Sequence, residues 1–136
     1  MSIEKRRILI TGSTGCIGTH AVDFLLSEGS GEIFGFNRSI PIGSEEKNDY
    51  QCISGDLSDP ESIARVVEEV QPTHVIHLGA LQTPDCRDYP MKGLDINVIG
   101  TAHLFQACTR LKRPLERFVF ASSSAVNGAR SLYGPE

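Results

Sequence analysis

The sequence predicts an α/β protein, a doubly wound parallel sheet with helices on both faces, in three layers. Three observations carry that expectation. Apolar runs of strand length alternate with amphipathic runs of helix length along the chain. The first run, Ile8-Leu9-Ile10, is continuously apolar, as suits a parallel strand covered on both faces. Three glycines, Gly12, Gly15 and Gly18, then separate that strand from the first helix.

The elements follow in order. The first strand is expected at Arg7–Thr11 and the first helix at 16–28, where Ile17, Ala21, Val22, Phe24, Leu25 and Leu26 recur at helical spacing. Gly29-Ser30-Gly31 has the residues that close a helix. A second strand is expected at 32–36, and the polar stretch 37–48, with Pro41 and Gly43, reads as a loop. The third strand is Tyr50–Ser54. Asp59 then caps a helix with Pro60 in its first position, and Ile63, Val66, Val67 and Val70 form its buried stripe. A fourth strand at 73–78 leads through a loop with Pro84 and Pro90 to a long helix at 93–111. There Leu94, Val98, Thr101, Leu104, Phe105 and Cys108 are expected to face inward. The fifth strand is expected at 117–121, followed by a serine-rich turn and an irregular tail. Right-handed crossovers between such strands give the order 3-2-1-4-5, with the ligand crevice above strands 1 and 4.

Composition bounds the rest. The chain's 136 residues form one expected domain, 40% apolar and 22% charged, without repeat, low-complexity tract or interdomain linker. A net charge of −4 argues against general nucleic-acid binding. No apolar run reaches membrane-span length and none precedes the first strand, so a cytoplasmic protein without membrane contact is expected. Cys16, Cys52, Cys86 and Cys108 lack CxxC spacing and read as reduced thiols. His20, His74, His77 and His103 lack metal-ligand spacing, and no metal site is expected. His74 and His77 lie three apart on a strand and should point to opposite faces.

The glycines carry the chemistry. A pyrophosphate needs backbone N–H donors, and a helix N-terminus supplies them with the positive end of its dipole. Gly12 and Gly15 permit a tight turn and close approach, and Gly18 lets the helix pack on the strand. Gly12, Gly15, Cys16, Ile17 and Gly18 are therefore candidate contacts to a dinucleotide.

The spacing is Gly-x-x-Gly-x-x-Gly, and Thr11-Gly-Ser-Thr-Gly-Cys-Ile-Gly18 resembles the TGxxGxxG motif of the extended short-chain dehydrogenase/reductase family, the sugar-nucleotide epimerases and dehydratases. Four further segments resemble that family in the right order. They are Gly55-Asp-Leu-Ser-Asp59, Val75-Ile-His-Leu-Gly-Ala80, Asn97-Val-Ile-Gly-Thr101 and Phe118-Val-Phe-Ala-Ser-Ser-Ser-Ala-Val-Asn-Gly128. The resemblance covers nearly the whole chain and implies a Rossmann fold with an NAD or NADP cofactor.

At the end of strand 2, Asn37 can bond a ribose hydroxyl, and Arg38 can fork onto a 2′-phosphate or lie over adenine or in solvent. NAD and NADP both stay open. The resemblance implies that Asp56 accepts from the adenine amino group and that Leu57 packs on the ring, the rival for Asp56 being a turn or cap. Leu78, Gly79 and Ala80 would let the backbone lie against the cofactor. The resemblance places Asn97 behind the nicotinamide end, holding backbone and waters; a satisfied core polar residue is the alternative.

By the same resemblance Ser123, or Ser124 in the next register, orients the reacting sugar hydroxyl. Asn127 departs from the tyrosine usual at its position. The family's Tyr-x-x-x-Lys pair has no match: Tyr133 is too close to Ser123, and Pro135 would sit inside the required helix. The pair and the substrate-binding part are thus expected beyond Glu136, the sheet ending after strand 5, and the 136-residue chain alone is expected to be inactive. The implied activity is hydride transfer between a sugar carbon of a nucleotide-sugar substrate and nicotinamide. Reduction of a non-nucleotide carbonyl or alcohol, and cofactor binding without catalysis, are the alternatives. The family also implies a possible homodimer, with helix 93–111 as a candidate face.

Overall fold

The computed structural model describes residues 5–40, 50–123 and 126. Five parallel strands form one sheet in the order β3-β2-β1-β4-β5, the expected Rossmann order. The strands are β1 (Arg7–Thr11), β2 (Glu32–Asn37), β3 (Tyr50–Ser54), β4 (His74–His77) and β5 (Arg117–Phe120). The helices are α1 (Cys16–Ser27), α2 (Pro60–Val70), α3 (Thr83–Asp88), α4 (Pro90–Leu94) and α5 (Thr101–Cys108). A π-helical segment, Asp95–Gly100, joins α4 to α5.

The continuous apolar run of β1 is explained by the pleat. Ile8 and Ile10 face α1 and pack with Val22 and Ile33, while Leu9 faces the other way into the larger cluster. There Ile63, Val66, Val67 and Val70 of α2 meet Leu104, Ala107 and Cys108 of α5 over Phe34, Phe36 and Val75. The start of α2 is set as expected: Pro60 opens it and the Asp59 carboxylate accepts from the Glu61 amide at 3.0 Å. Burial raises the Cys108 thiol to about 11, so it behaves as a small apolar residue.

Several expected elements differ. The loop through Pro84 and Pro90 contains α3, and α4 begins at Pro90 rather than at residue 93. Both prolines stand in the first turn, where a missing N–H costs no hydrogen bond. The inward stripe of the long helix also differs. Leu104 and Cys108 are buried, but Leu94, Val98 and Phe105 are 44%, 55% and 47% exposed. The π segment widens one turn and shifts the phase of the stripe, so Gly93, Ile96 and Gly100 face inward instead. Gly100 lies so close to the Leu57 carbonyl that a Cβ there would overlap it. In α1, Ile17 and Phe24 are 68% and 64% exposed, and Gly18 and Val22 are the buried residues.

Among the described residues no helix is long and apolar enough to cross a membrane, and no group of three or more His, Cys, Asp or Glu side chains could hold a metal ion.

Candidate functional site

Parallel pairing in register brings the carboxyl ends of the central strands level: Thr11 lies opposite both Phe36 and His77. Above them opens a cleft of about 770 Å³, the crevice expected where the strand order reverses. Gly12, Gly15, Cys16, Ile17 and Gly18 line it on the α1 side, and Asn37, Arg38, Asp56 and Leu57 line it beyond β2 and β3. Leu78, Gly79 and Ala80 line it from β4.

The glycine turn is held tightly. Gly12 has φ 71°, and its N–H donates to the Phe36 carbonyl at 2.9 Å. Gly12 and Gly79 cross backbone on backbone, and a Cβ on Gly12 would stand 2.9 Å from both Cα and N of Gly79. A Cβ on Gly18 would overlap the Gly12 carbonyl oxygen, which is why the helix can start directly on the turn. Gly15 is the N-cap of α1, and among the described residues no side chain caps that end. The first-turn amides therefore face the cleft with the positive end of the helix dipole, an arrangement that suits an anion.

Asn37, at the cleft, is also bonded within the protein. It is buried, and its Nδ2 donates to Ser13 Oγ at 2.8 Å and to Cys52 Sγ at 3.1 Å. Its Oδ1 accepts from Thr14 N at 3.1 Å and from Thr14 Oγ1 at 3.2 Å. Ser13 Oγ also meets the Tyr50 hydroxyl at 2.9 Å. Both amide hydrogens and the Oδ1 acceptor of Asn37 are engaged within the protein. Asn37 thereby latches the glycine turn to β2 and β3. Asn37→Leu, which keeps the branched shape, is expected to cost about 2 kcal/mol in urea unfolding because Ser13 and Thr14 lose buried partners; a loss below about 0.5 kcal/mol would remove the latch. The sequence contained one unread signal of this network, Gly35 in mid-strand, where a Cβ would overlap Ser13 Oγ and lie 2.6 Å from the Tyr50 hydroxyl.

Asp56 forms a turn as well as facing the cleft. Its Oδ1 accepts from Ser58 N and Ser58 Oγ, each at 2.8 Å. The backbone hydrogen bond from Ser58 holds this carboxyl below its ordinary range, helped by the Ser58 hydroxyl and the charges of Arg38 and Lys92. Asp59, not Asp56, caps α2.

Asn97 does not line the cleft. Its Oδ1 accepts from Leu81 N at 2.7 Å and its Nδ2 donates to Leu81 O at 3.0 Å, so it clamps the backbone of a cleft-lining residue. Ser123 is exposed beyond β5 and does not line the cleft, whereas Ala121 does. Ser124, Asn127 and Tyr133 lie outside the described residues. Reading by motif missed Thr14, Ser39, Leu81 and Ile96, which also line the cleft.

A sheet of this order, with a glycine turn entering an open helix N-terminus beside it, defines a Rossmann-fold protein. The chain belongs to the NAD dependent epimerase/dehydratase family, which it matches over residues 8–134. It is 29% identical to a UDP-glucose 4-epimerase of Pisum sativum over 140 residues, covering 94% of this chain and 39% of that protein. It is 30% identical to a GDP-mannose 4,6-dehydratase of Vibrio cholerae over 146 residues, covering 93% of this chain and 37% of that one. The UDP-glucose 4-epimerase of Thermus thermophilus, solved in complex with NAD, superposes with a TM-score of 0.75 at 30% identity, over 86% of this chain and 37% of that one. The chain thus spans under two fifths of the length of the curated relatives it matches.

Proposed function

We propose that this chain holds a nicotinamide dinucleotide in the cleft, as the cofactor-binding part of an enzyme that epimerises or dehydrates a nucleotide-sugar. The Gly12–Gly79 crossing under an uncapped helix carries this reading. It leaves a backbone-walled cradle that any Cβ would fill, next to free N–H donors, and that suits a pyrophosphate. When bound, the cofactor supplies reversible hydride transfer.

The residues of the chain have separate tasks in this reading. The first turn of α1 binds the pyrophosphate, Asp56 accepts from the adenine amino group, and Leu57 packs on the ring. Leu78, Gly79 and Ala80 form a close wall, which Asn97 keeps in place through Leu81. Ser123 orients the reacting hydroxyl of the sugar.

Cofactor choice falls to Arg38. With Asn37 bonded within the protein, the end of β2 offers no carboxylate to repel a 2′-phosphate, and Arg38 lines the cleft. NADP is therefore the favoured cofactor. In calorimetric titrations, Arg38→Ala is expected to weaken NADP binding about tenfold and to change NAD binding by less than about twofold. Equal losses for both cofactors would take the 2′-phosphate away from Arg38, and no binding of either by the folded protein would refute the function.

A further inference from the structure

β4 ends in His77, a residue 2% exposed whose ring is flanked by Phe118 and Phe120, with centroids 6.3 Å and 5.8 Å away. Its Nδ1 lies 2.6 Å from Thr11 Oγ1, and its Nε2 lies 2.9 Å from Thr101 Oγ1. The directions of these bonds follow from the neighbours. The Thr101 hydroxyl donates its single proton to the Asn97 carbonyl at 2.8 Å, so it accepts from His77 Nε2–H. Nδ1 then carries a lone pair and accepts from the Thr11 hydroxyl. Thr11 Oγ1 in turn accepts from Gly79 N–H at 3.0 Å.

The opposite tautomer breaks this order. It would draw the Thr101 proton away from the Asn97 carbonyl, and with Nδ1–H and Gly79 N–H both donating to Thr11 Oγ1 the Thr11 proton would have no acceptor among these groups. Only the neutral Nε2–H form gives every proton on the line its own acceptor, so the network assigns the tautomer. Burial keeps the ring neutral, lowering its pKa to about 4.

We propose that His77 is a positioning residue, fixed in its Nε2–H tautomer, that ties the Thr11–Gly79 contact beneath the glycine turn to the π segment carrying Asn97. The cleft wall 78–81 is then pinned at both ends. Thr11 holds Gly79 N, Asn97 holds Leu81 N and O, and His77 with Thr101 joins the two pins. The sequence explains the device: a histidine at a strand end has two ring nitrogens with fixed directions, and a threonine on the facing helix turns its hydroxyl toward the carbonyl four residues back. The effect on cofactor affinity rests on the function proposed above; the tautomer and the rigidity of the wall do not.

Long-range ¹⁵N–¹H NMR of the protein at pH 7 tests the tautomer. A single Nε2–H form is expected for His77, and an Nδ1–H form or an averaged signal would overturn the proposal. Thr101→Val and Thr101→Ser test the coupling. In Thr101→Val the amides of Gly79 and Leu81 are expected to exchange about tenfold faster than in wild type, and in Thr101→Ser, which restores the hydroxyl, within about twofold of it. NADP affinity should follow the same split, about tenfold against twofold. Equal behaviour of the two variants in exchange would overturn the proposal. A wild-type protein that binds no cofactor would refute the proposed function, with tautomer and exchange still deciding the role of His77.

Discussion

Gly12→Ala is expected to weaken NAD(P) binding at least about 100-fold, because it displaces the turn that presents the α1 amides and two or more charge-assisted hydrogen bonds go with it. Two effects act together. Gly12 has φ 71°, where an L side chain is strained, and the added Cβ would stand 2.9 Å from the Gly79 backbone. Backbone cannot rotate aside as a flexible side chain can. Relief requires the turn or the end of β4 to move, and β4 is fixed by its pairing with β1 and by the Thr11–Gly79 bond. The folded protein should survive with a stability loss of about 2–4 kcal/mol, from strain plus overpacking. Calorimetric titration beside urea unfolding separates the two quantities. Wild-type affinity in the variant would mean that the turn is not where the phosphates bind.

The second large effect is on pH. His77 has a folded pKa of about 4 against an ordinary value of 6.5. Below pH 6.5 the unfolded chain takes up a proton that the folded chain refuses. The stabilisation is therefore complete above pH 6.5, falls by about 1.4 kcal/mol per unit as the pH drops, and is lost near pH 4 after a total of about 3 kcal/mol. Asp56, held below its ordinary range by Ser58, adds a smaller loss at still lower pH, as its carboxylate is forced to protonate. Urea unfolding at pH 7, 6 and 5 should show the decline. His77→Asn, which cannot titrate here, should be less stable at pH 7 and show a flatter profile. A wild-type profile flat between pH 7 and 5 would contradict the buried neutral ring.

The fold was legible because its signals are local and redundant. The β1 run, the Asp59-Pro60 start of α2 and the Ile63-Val66-Val67-Val70 stripe each point to one element, and right-handed crossovers then leave a single strand order. The long helix was misread where its period changes. A 3.6-residue template assigns Leu94, Val98 and Phe105 to the core, but the π segment at Asp95–Gly100 puts them out of phase. Gly12 and Gly18 were legible from spacing because close backbone approach leaves no room for a Cβ at either. Asn37 was not. Residue type shows what an amide can bond, but its partners come from two distant places in the sequence, Ser13-Thr14 and Cys52. For the same reason the role of His77 was not legible, since both its partners belong to other elements.

The central claim is that the cleft above β1 and β4 is the dinucleotide site. The most direct test is to follow the backbone amide NMR signals of the protein while NADP is added. Saturable shifts are expected at Gly12, Gly15 and Gly18, and at Asp56, Gly79 and Ala80 across the cleft. Saturable shifts confined to the opposite end of the sheet, around Arg6, His74 and Arg117, or no shifts at all in the folded protein, would contradict it.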